Sequence, residues 1–197
     1  MPQAVPVVAC LFGFLTAAIT GFAEEVEVTT VRFSNLRGGN GSWLEAAVAL
    51  NVRPPANSPA QLVSRVRVTL VLALEVPASA GAERRVEHYR ARAECVALGV
   101  GRTDVRFYLP PEVVRRDQLR GDPRSWGVEL AVGGRAVPAS RGAYTAALAT
   151  AEQRKTFQTK AATEAPGNDG ILLPQYLTPF ANENPRATPS FVRRETS

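Results

Sequence analysis

Residues 62–76 read LVSRVRVTLVLALEV, and this stretch decides the fold class. An apolar or small residue stands at every second position, and charged or hydroxylated residues stand at several of the positions between. A period of two with this contrast predicts one long strand with a buried and a solvated face, as antiparallel sheets have. The residues assigned to the buried face are Leu62, Ser64, Val66, Val68, Leu70, Leu72, Leu74 and Val76.

The next apolar stretch, residues 84–98, returns as the second strand of a hairpin. A loop centred near residues 79–80 gives both strands the same inward and outward parity, which supports the pairing. The arginines of this hairpin then lie on its solvated side. The predicted opposite pairs are Arg65 with Glu94, Arg67 with Arg92, Glu75 with Arg84, Val68 with Ala91, and Leu70 with Tyr89.

Shorter strand patterns surround this hairpin. The phase of alternation changes near Thr29-Thr30, which predicts a β-bulge, and Pro110-Pro111 ends a strand before a short helical turn over 112–118. The chain is therefore predicted to be all-β, an antiparallel immunoglobulin-like β-sandwich of about seven strands over residues 24–138. An Ala-rich helix is predicted within 139–165, drawn over 143–165 and lightly docked, followed by an extended or disordered tail over 166–197. Strands are further predicted at 26–33, 44–52, 103–109 and 126–132, the last turning at Gly133-Gly134.

The first 23 residues have the pattern of a signal peptide. They contain no Asp, Glu, Lys or Arg, and an apolar run ends in Gly21-Phe22-Ala23 before Glu24-Glu25. Signal peptidase requires small side chains before its cut, so the mature chain is predicted to begin at Glu24 and to be exported to the periplasm, outer envelope or cell surface. Two alternatives stay open: a lipidated Cys10 after a loose lipobox, and a prepilin-type cut near Gly21. The second alternative fits less well, because the apolar helix of a prepilin follows the cut, whereas the apolar run here precedes it.

Composition narrows the function class. The net charge is +5, and nearly all cations are arginines interleaved with acidic residues, without the basic stripe of a nucleic-acid-binding module. We therefore expect no nucleic-acid partner, and no transmembrane segment once the signal peptide is removed. After that removal Cys95 is the only cysteine, and we expect it to be a buried, inert thiol.

No catalytic motif is present, so we expect no enzyme activity, no metal and no cofactor. The single histidine, His88, follows charged residues on a strand and is predicted to lie at the surface. Arg120-Gly121-Asp122 matches an integrin-binding tripeptide and Asn40-Gly41-Ser42 a glycosylation sequon, but a turn explains each. An adhesin that binds carbohydrate or a host surface is the alternative function. It requires clustered exposed aromatics, for which the candidates are Trp43, Trp126, Tyr89 and Tyr108, although their strand positions suit core packing.

The tail contains the most informative functional segment. Residues 171–180 are apolar although prolines, asparagines and charges surround them. Such a segment docks on a sheet edge or groove, either of its own domain or of a partner protein. The predicted partner-binding residues are Leu172, Leu173, Pro174, Tyr176, Leu177, Pro179 and Phe180.

The order of these parts resembles a family of exported, immunoglobulin-like, pilus-associated proteins of bacterial pilus gene clusters. The resemblance is carried by Val31-Arg32-Phe33, Phe107-Tyr108-Leu109-Pro110-Pro111, the Trp126 strand, Gly170-Ile171-Leu172-Leu173-Pro174 and Thr178-Pro179-Phe180. It implies a non-catalytic envelope or surface protein that acts by protein–protein contact, in or beside a pilus or secretion assembly. It implies protein partners from that assembly and no catalytic residues.

Overall fold

The computed structural model describes residues 25–39, 41–53, 59, 61–77, 84–119, 121–182 and 188–193. The predicted signal peptide, with Cys10, lies outside these residues. Eight strands and two α-helices follow one another along the described chain: β1 Val26–Gly38, β2 Gly41–Val52, β3 Leu62–Val76, β4 Arg85–Gly99, β5 Gly101–Leu109, α1 Pro111–Arg116, β6 Ser125–Val132, β7 Arg135–Val137, α2 Ala151–Glu164 and β8 Leu173–Pro174.

The strands form two antiparallel sheets that pack face to face. The first sheet has the order β1-β2-β5-β8, and the second has the order β4-β3-β6-β7. In an immunoglobulin-like sandwich strand B pairs with E, and C pairs with F, which is followed by G. Strands β1 to β7 thus occupy positions A, B, C, C′, E, F and G. The predicted all-β sandwich with a following helix is confirmed.

The core lies between the sheets and is built mainly from alternate residues of β2, β3, β4 and β5. Fully buried members include Val48, Leu50, Leu70, Leu72 and Phe107. The register of β1 against β2 shifts between Val28 and Thr30, which confirms the predicted bulge. The strand before Pro110, the short helix α1 and the turn at Gly133-Gly134 also lie where the sequence predicts them.

The β3–β4 hairpin keeps the predicted faces, but its predicted register is wrong by two residues. Arg67 lies opposite Glu94, and Leu70 lies opposite Ala91. A shift of two preserves which face each side chain occupies, so periodicity cannot distinguish the two registers. The observed register places Arg67 rather than Arg65 opposite Glu94, and Thr69 rather than Arg67 opposite Arg92, so it avoids the predicted pair of like charges.

The buried face of β3 also begins later than predicted. Arg65 has a positive φ of 53°, and the alternation changes phase there. Val63 is therefore buried, whereas Leu62 and Ser64, assigned to the core by their period, are exposed. A change of phase at one residue moves every earlier side chain to the other face.

The segment after β7 crosses to β1 and then covers part of the second sheet. Ser140 donates its hydroxyl to the Val28 carbonyl at 2.8 Å and accepts the Val28 amide at 3.1 Å, which fixes the crossing. Helix α2 begins at Ala151, later than the drawn start at 143, because Thr150 and Gln153 form a reciprocal capping box. Only Phe157 and Ala161 of α2 are buried, as a lightly docked helix requires.

Candidate functional site: the docked tail

The chain returns to the sandwich after α2 and packs along one side of it. We call residues 171–182 and 188–193 the docked tail. Within residues 166–182, where the sequence predicts an extended or disordered tail, the chain instead forms three short 3-10 turns around β8. They are Ala165–Asn168, Gln175–Leu177 and Pro179–Asn182. In β8, Leu173 pairs with Tyr108 and Pro174 with Phe107, so the tail adds a short antiparallel strand to the edge of β5.

An aromatic cluster holds the far end of the first tail segment. The Phe180 ring stacks on Tyr108, with centroids 4.8 Å apart, and meets Trp43 edge-on at 5.4 Å. Trp43 and Tyr108 alternate with the core residues Leu44 and Phe107, so they lie on the outer face of the first sheet. Phe180 therefore covers two large rings that would otherwise face solvent.

A polar network lies beside this cluster on the same face. The Tyr108 hydroxyl donates to a Glu45 carboxylate oxygen at 2.8 Å, and Ser34 donates to the other oxygen at 3.3 Å. Arg106 lies 4.0 Å from Glu45 and 3.2 Å from Asp104. Glu45 and Arg106 are each 4 % exposed. Charged groups reach this degree of burial only when they are paired, and here opposite charges lie within the network.

The second segment of the docked tail pairs with the other sheet. The Val96 amide donates to the Ser190 carbonyl at 2.8 Å, and the Val192 amide donates to the Glu94 carbonyl at 2.7 Å. These two bonds frame an antiparallel bridge between Phe191 and Cys95 at the edge of β4. Leu172, directly before β8, is buried in the main core. The docked tail thus closes the side of the sandwich where β5 and β4 are the edge strands, as an edge-covering segment does.

The seven predicted partner-binding residues fall into three groups. Leu172, Pro174 and Phe180 are buried against the domain itself; Leu173 and Tyr176 are half-buried; Leu177 and Pro179 are exposed. Tyr176 lies 5.2 Å from the ring of Phe191, and burial raises the pKa of its hydroxyl despite the opposing charge of Arg193. The apolar pattern alone does not distinguish residues that hold the tail down from residues that face outward.

Sequence reasoning missed two polar residues that shape this segment. The Gln175 side chain donates to the Phe180 carbonyl at 3.0 Å, and Thr178 donates to the Gln175 carbonyl at 2.8 Å. Both side chains are buried. The Gln-x-x-Thr spacing before Pro179 is the only sequence signal for them, since hydroxyl and amide side chains commonly bond to nearby backbone in turns.

His88 is not at the surface, so that prediction is wrong. Its side chain is 5 % exposed, and Nδ1 lies 2.7 Å from a Glu164 carboxylate oxygen of α2. The Phe157 ring lies 5.9 Å away. The helix covers this part of β4, which the charged neighbours of His88 do not reveal. Within the described residues, no group of three or more His, Cys, Asp or Glu side chains could hold a metal ion.

A second buried polar cluster ties α1 to β4. Tyr89 donates its hydroxyl to Asp117 at 2.7 Å, and Arg116 forms a two-pronged pair with the same carboxylate at 2.7 Å for both bonds. Burial favours the neutral carboxyl, but the hydrogen bonds from Arg116 and Tyr89 outweigh it and hold the pKa of Asp117 below its usual range. Burial likewise raises the pKa of Tyr89. This cluster is a structural tie, because three hydrogen bonds from the protein already occupy its carboxylate.

Other predicted features lie as follows. Cys95 is buried, and burial together with the Glu94 charge raises its pKa to about 12, which suppresses the reactive thiolate. Residue 120 of the integrin-type tripeptide and residue 40 of the sequon lie outside the residues that the structure describes. Of the four aromatic candidates for a carbohydrate site, Trp43, Tyr89 and Tyr108 are buried and Trp126 is half-buried against Phe33. None of the helices in the described part of the chain has the length and apolarity needed to cross a membrane.

Comparison with known proteins identifies the fold. No protein-family model matches the sequence, and no curated protein matches it. A crystal structure of a protein from Akkermansia muciniphila is similar, with a TM-score of 0.67 at 17 % sequence identity. The alignment covers 86 % of this chain and 94 % of that one. At this identity the likeness shows a common fold along nearly the whole length of the Akkermansia protein.

Proposed function

We propose that this chain is a non-catalytic exported envelope or surface protein that acts by protein–protein contact, in or beside a pilus or secretion assembly. The observation that carries the proposal is the way the tail occupies the sheet edge. Strand β5 runs from Gly101 to Leu109, yet β8 pairs with Phe107 and Tyr108 alone. A short strand of the chain itself on a longer edge is a weak closure that leaves backbone groups for another strand.

The proposed contact uses the two sides of the docked tail differently. Its inner side, with Leu172 and Phe180, fixes the segment on the domain. Its outer side presents Leu177, which is 60 % exposed, next to the exposed Pro179. A partner strand that pairs with the part of β5 not paired with β8 would gain affinity from main-chain hydrogen bonds, and contact with these outward side chains would add selectivity. The family resemblance supports a pilus or secretion assembly as the source of this partner.

The proposal is tested by locating the protein in its native cells. Cells are separated into cytoplasm, periplasm, membranes and sheared surface filaments, and the mature amino terminus is sequenced. Recovery with sheared filaments or with an envelope complex, starting at Glu24, supports the proposal. Recovery only as an uncomplexed periplasmic monomer contradicts the assembly role. Retention in the cytoplasm contradicts export, and a lipidated Cys10 start contradicts the proposed cleavage.

The tail's part in the contact is tested by two matched substitutions. Leu177→Asp places a charge on the outer side of the docked tail, and Ala162→Asp places one on an exposed residue of helix α2, which is not part of the tail. We expect Leu177→Asp to lower the amount recovered with the assembly and Ala162→Asp to leave it unchanged. Equal recovery of both variants contradicts a contact through the tail.

A further inference from the structure

Helix α2 covers only part of the outer face of the second sheet. It packs over Val71 and Ala73 through Phe157 and Ala161. A neighbouring part of that face, formed by β3, β4 and β6, is not covered by the helix and is bordered by the crossing segment after β7. The result is a cleft of about 420 Å³, whose polar lining includes Arg67, Thr69, Arg90, Arg92, Glu129 and Tyr144. Its volume lies within the range of ordinary ligand sites, about 300–1,000 Å³.

The charge of this cleft is unbalanced. Three arginines line it, Arg67, Arg90 and Arg92, against one carboxylate, Glu129. The sheet register explains the grouping, because Thr69 lies opposite both Arg92 and Glu129, and Arg90 lies opposite the next outward residue, Val71. The strand alternation therefore places the cations side by side along one face.

The arginines of the cleft have few charge partners among the residues that the structure describes. Arg67 reaches Glu94 at 3.6 Å, but its Nε is buried and has no hydrogen-bond partner among the described atoms. Arg65 bonds to the same carboxylate at 3.2 Å, so Glu94 is shared between two cations. Neither Arg90 nor Arg92 forms an ion pair with any residue that the structure describes. Guanidinium groups are forked donors whose geometry fits carboxylates.

The other residues that line the cleft indicate which class of anionic ligand it fits. Ala131, Ala136, Val137 and Pro138 give the wall by β7 an apolar character. A sugar polymer is normally held by an exposed aromatic face, and the one aromatic residue of the cleft, Tyr144, already has Arg154 over its ring at 5.0 Å. Apolar walls combined with guanidinium groups fit a peptide that carries both acidic and apolar or small side chains.

We propose that this cleft binds an acidic peptide segment of a partner protein. Arg90 and Arg92 are two residues apart on β4, so their backbones are about 7 Å apart along the strand. That is the spacing of alternate side chains in an extended peptide, so acidic residues at every second position match the two arginines. Thr69, buried between the strands, offers a hydroxyl at the floor. No residue of the docked tail lines the cleft, and the proposal does not depend on a contact through Leu177 and Pro179, so it fails or holds independently of the tail contact.

The experiment measures binding of a fluorescein-labelled peptide of alternating Glu and Thr to the purified full chain by anisotropy. A peptide of alternating Gln and Thr is the uncharged control. We expect the acidic peptide to bind and the Gln peptide not to bind. The affinity should fall as salt is raised, because exposed charges are screened over about 8 Å at 0.15 M ionic strength.

Two charge-matched double variants identify the site. Arg90→Gln with Arg92→Gln is expected to weaken binding at least ten-fold. Arg37→Gln with Arg102→Gln removes the same charge from two exposed arginines of the first sheet, and should change binding less than two-fold. Glu129→Gln removes the one carboxylate of the cleft and is expected to strengthen binding several-fold.

Three results would overturn the proposal. Equal weakening by the two double variants would show attraction by net charge alone. If the acidic peptide does not bind at low salt, the cleft is not an acidic-peptide site. Tighter binding of a uronate oligosaccharide than of the peptide, lost in the Arg90→Gln and Arg92→Gln variant, would assign the cleft to a glycan instead.

Discussion

Replacement of Phe180 by alanine should release the tail while leaving the sandwich folded. Phe180 is 3 % exposed and contacts two rings on the outer face of the first sheet. Truncation of a buried Phe typically costs about 3–5 kcal/mol, and we take the lower end because water can enter the vacated space. About 3 kcal/mol corresponds to a change of about 150-fold in the ratio of docked to released tail.

Leu177 supplies the matched control, since it lies in the same segment but is 60 % exposed. Leu177→Ala should alter the tail equilibrium by no more than about 0.5 kcal/mol, as exposed substitutions usually do. The two variants differ by one aromatic contact and share the backbone, so the comparison isolates that contact.

Two measurements report release of the tail. Trp43 is 8 % exposed beneath Phe180, so its fluorescence should shift to longer wavelength in Phe180→Ala and not in Leu177→Ala. Limited proteolysis should remove the tail of the first variant faster. If Trp43 emission changes only together with cooperative unfolding of the whole domain, or if the two variants behave alike, the tail is not a separately docked element and the reasoning is refuted.

Three further predictions concern the sandwich itself. Asp117→Asn should lower the free energy of unfolding by about 2 kcal/mol at neutral pH, since it weakens charge-assisted bonds with Arg116 and Tyr89. The folded pKa of Asp117 is depressed, so its stabilisation is present above the unfolded value and is lost as pH falls through the folded one. The free energy of unfolding, measured by denaturant titration, should therefore fall less steeply with decreasing pH in the variant than in the parent protein. Equal slopes would contradict the stabilising role of the Asp117 carboxylate. Cys95 should not react with a thiol reagent at pH 8 until the protein unfolds, because its pKa is raised to about 12; rapid native labelling would contradict this. Gly142→Ala should destabilise strongly, since a Cβ there would overlap backbone of β1, whereas Gly39→Ala, with open space around it, should change the thermal midpoint little; equal midpoints would contradict the crossing geometry.

The local sequence pattern is sufficient to predict which face of the sheet each side chain occupies, but not how the strands are paired. Alternation in β3 and β4 gave the correct faces, because a side chain in a strand points to the side opposite its neighbours. The same alternation left the register open to a shift of two, and opposite charges do not choose between the registers, because each places an arginine opposite Glu94. The phase change at Arg65 depends on one backbone conformation, and an arginine in the left-handed region has no sequence signal.

The functional segment shows the same division. The apolar character of residues 171–180 was visible, but which of them faces inward was not. Trp43 and Tyr108 were expected to pack in the core by their strand positions, and they are buried, yet on the outer face beneath Phe180. Their burial depends on a contact between residues far apart in the chain, and no local period encodes it. His88 was misplaced for the same reason, because the helix that covers it begins more than sixty residues later.

The sequence by itself determined the all-β class, the positions of most strands and turns, the helix after the sandwich and an apolar segment in the tail. It did so because alternation, prolines, glycines and caps act within a few residues. Only the tertiary structure decided the hairpin register, the burial of His88 and the closure of two sheet edges by the docked tail. It also decided the grouping of three arginines in one cleft. These features depend on which distant surfaces meet, and that choice is made by packing and by charge pairing across the whole fold.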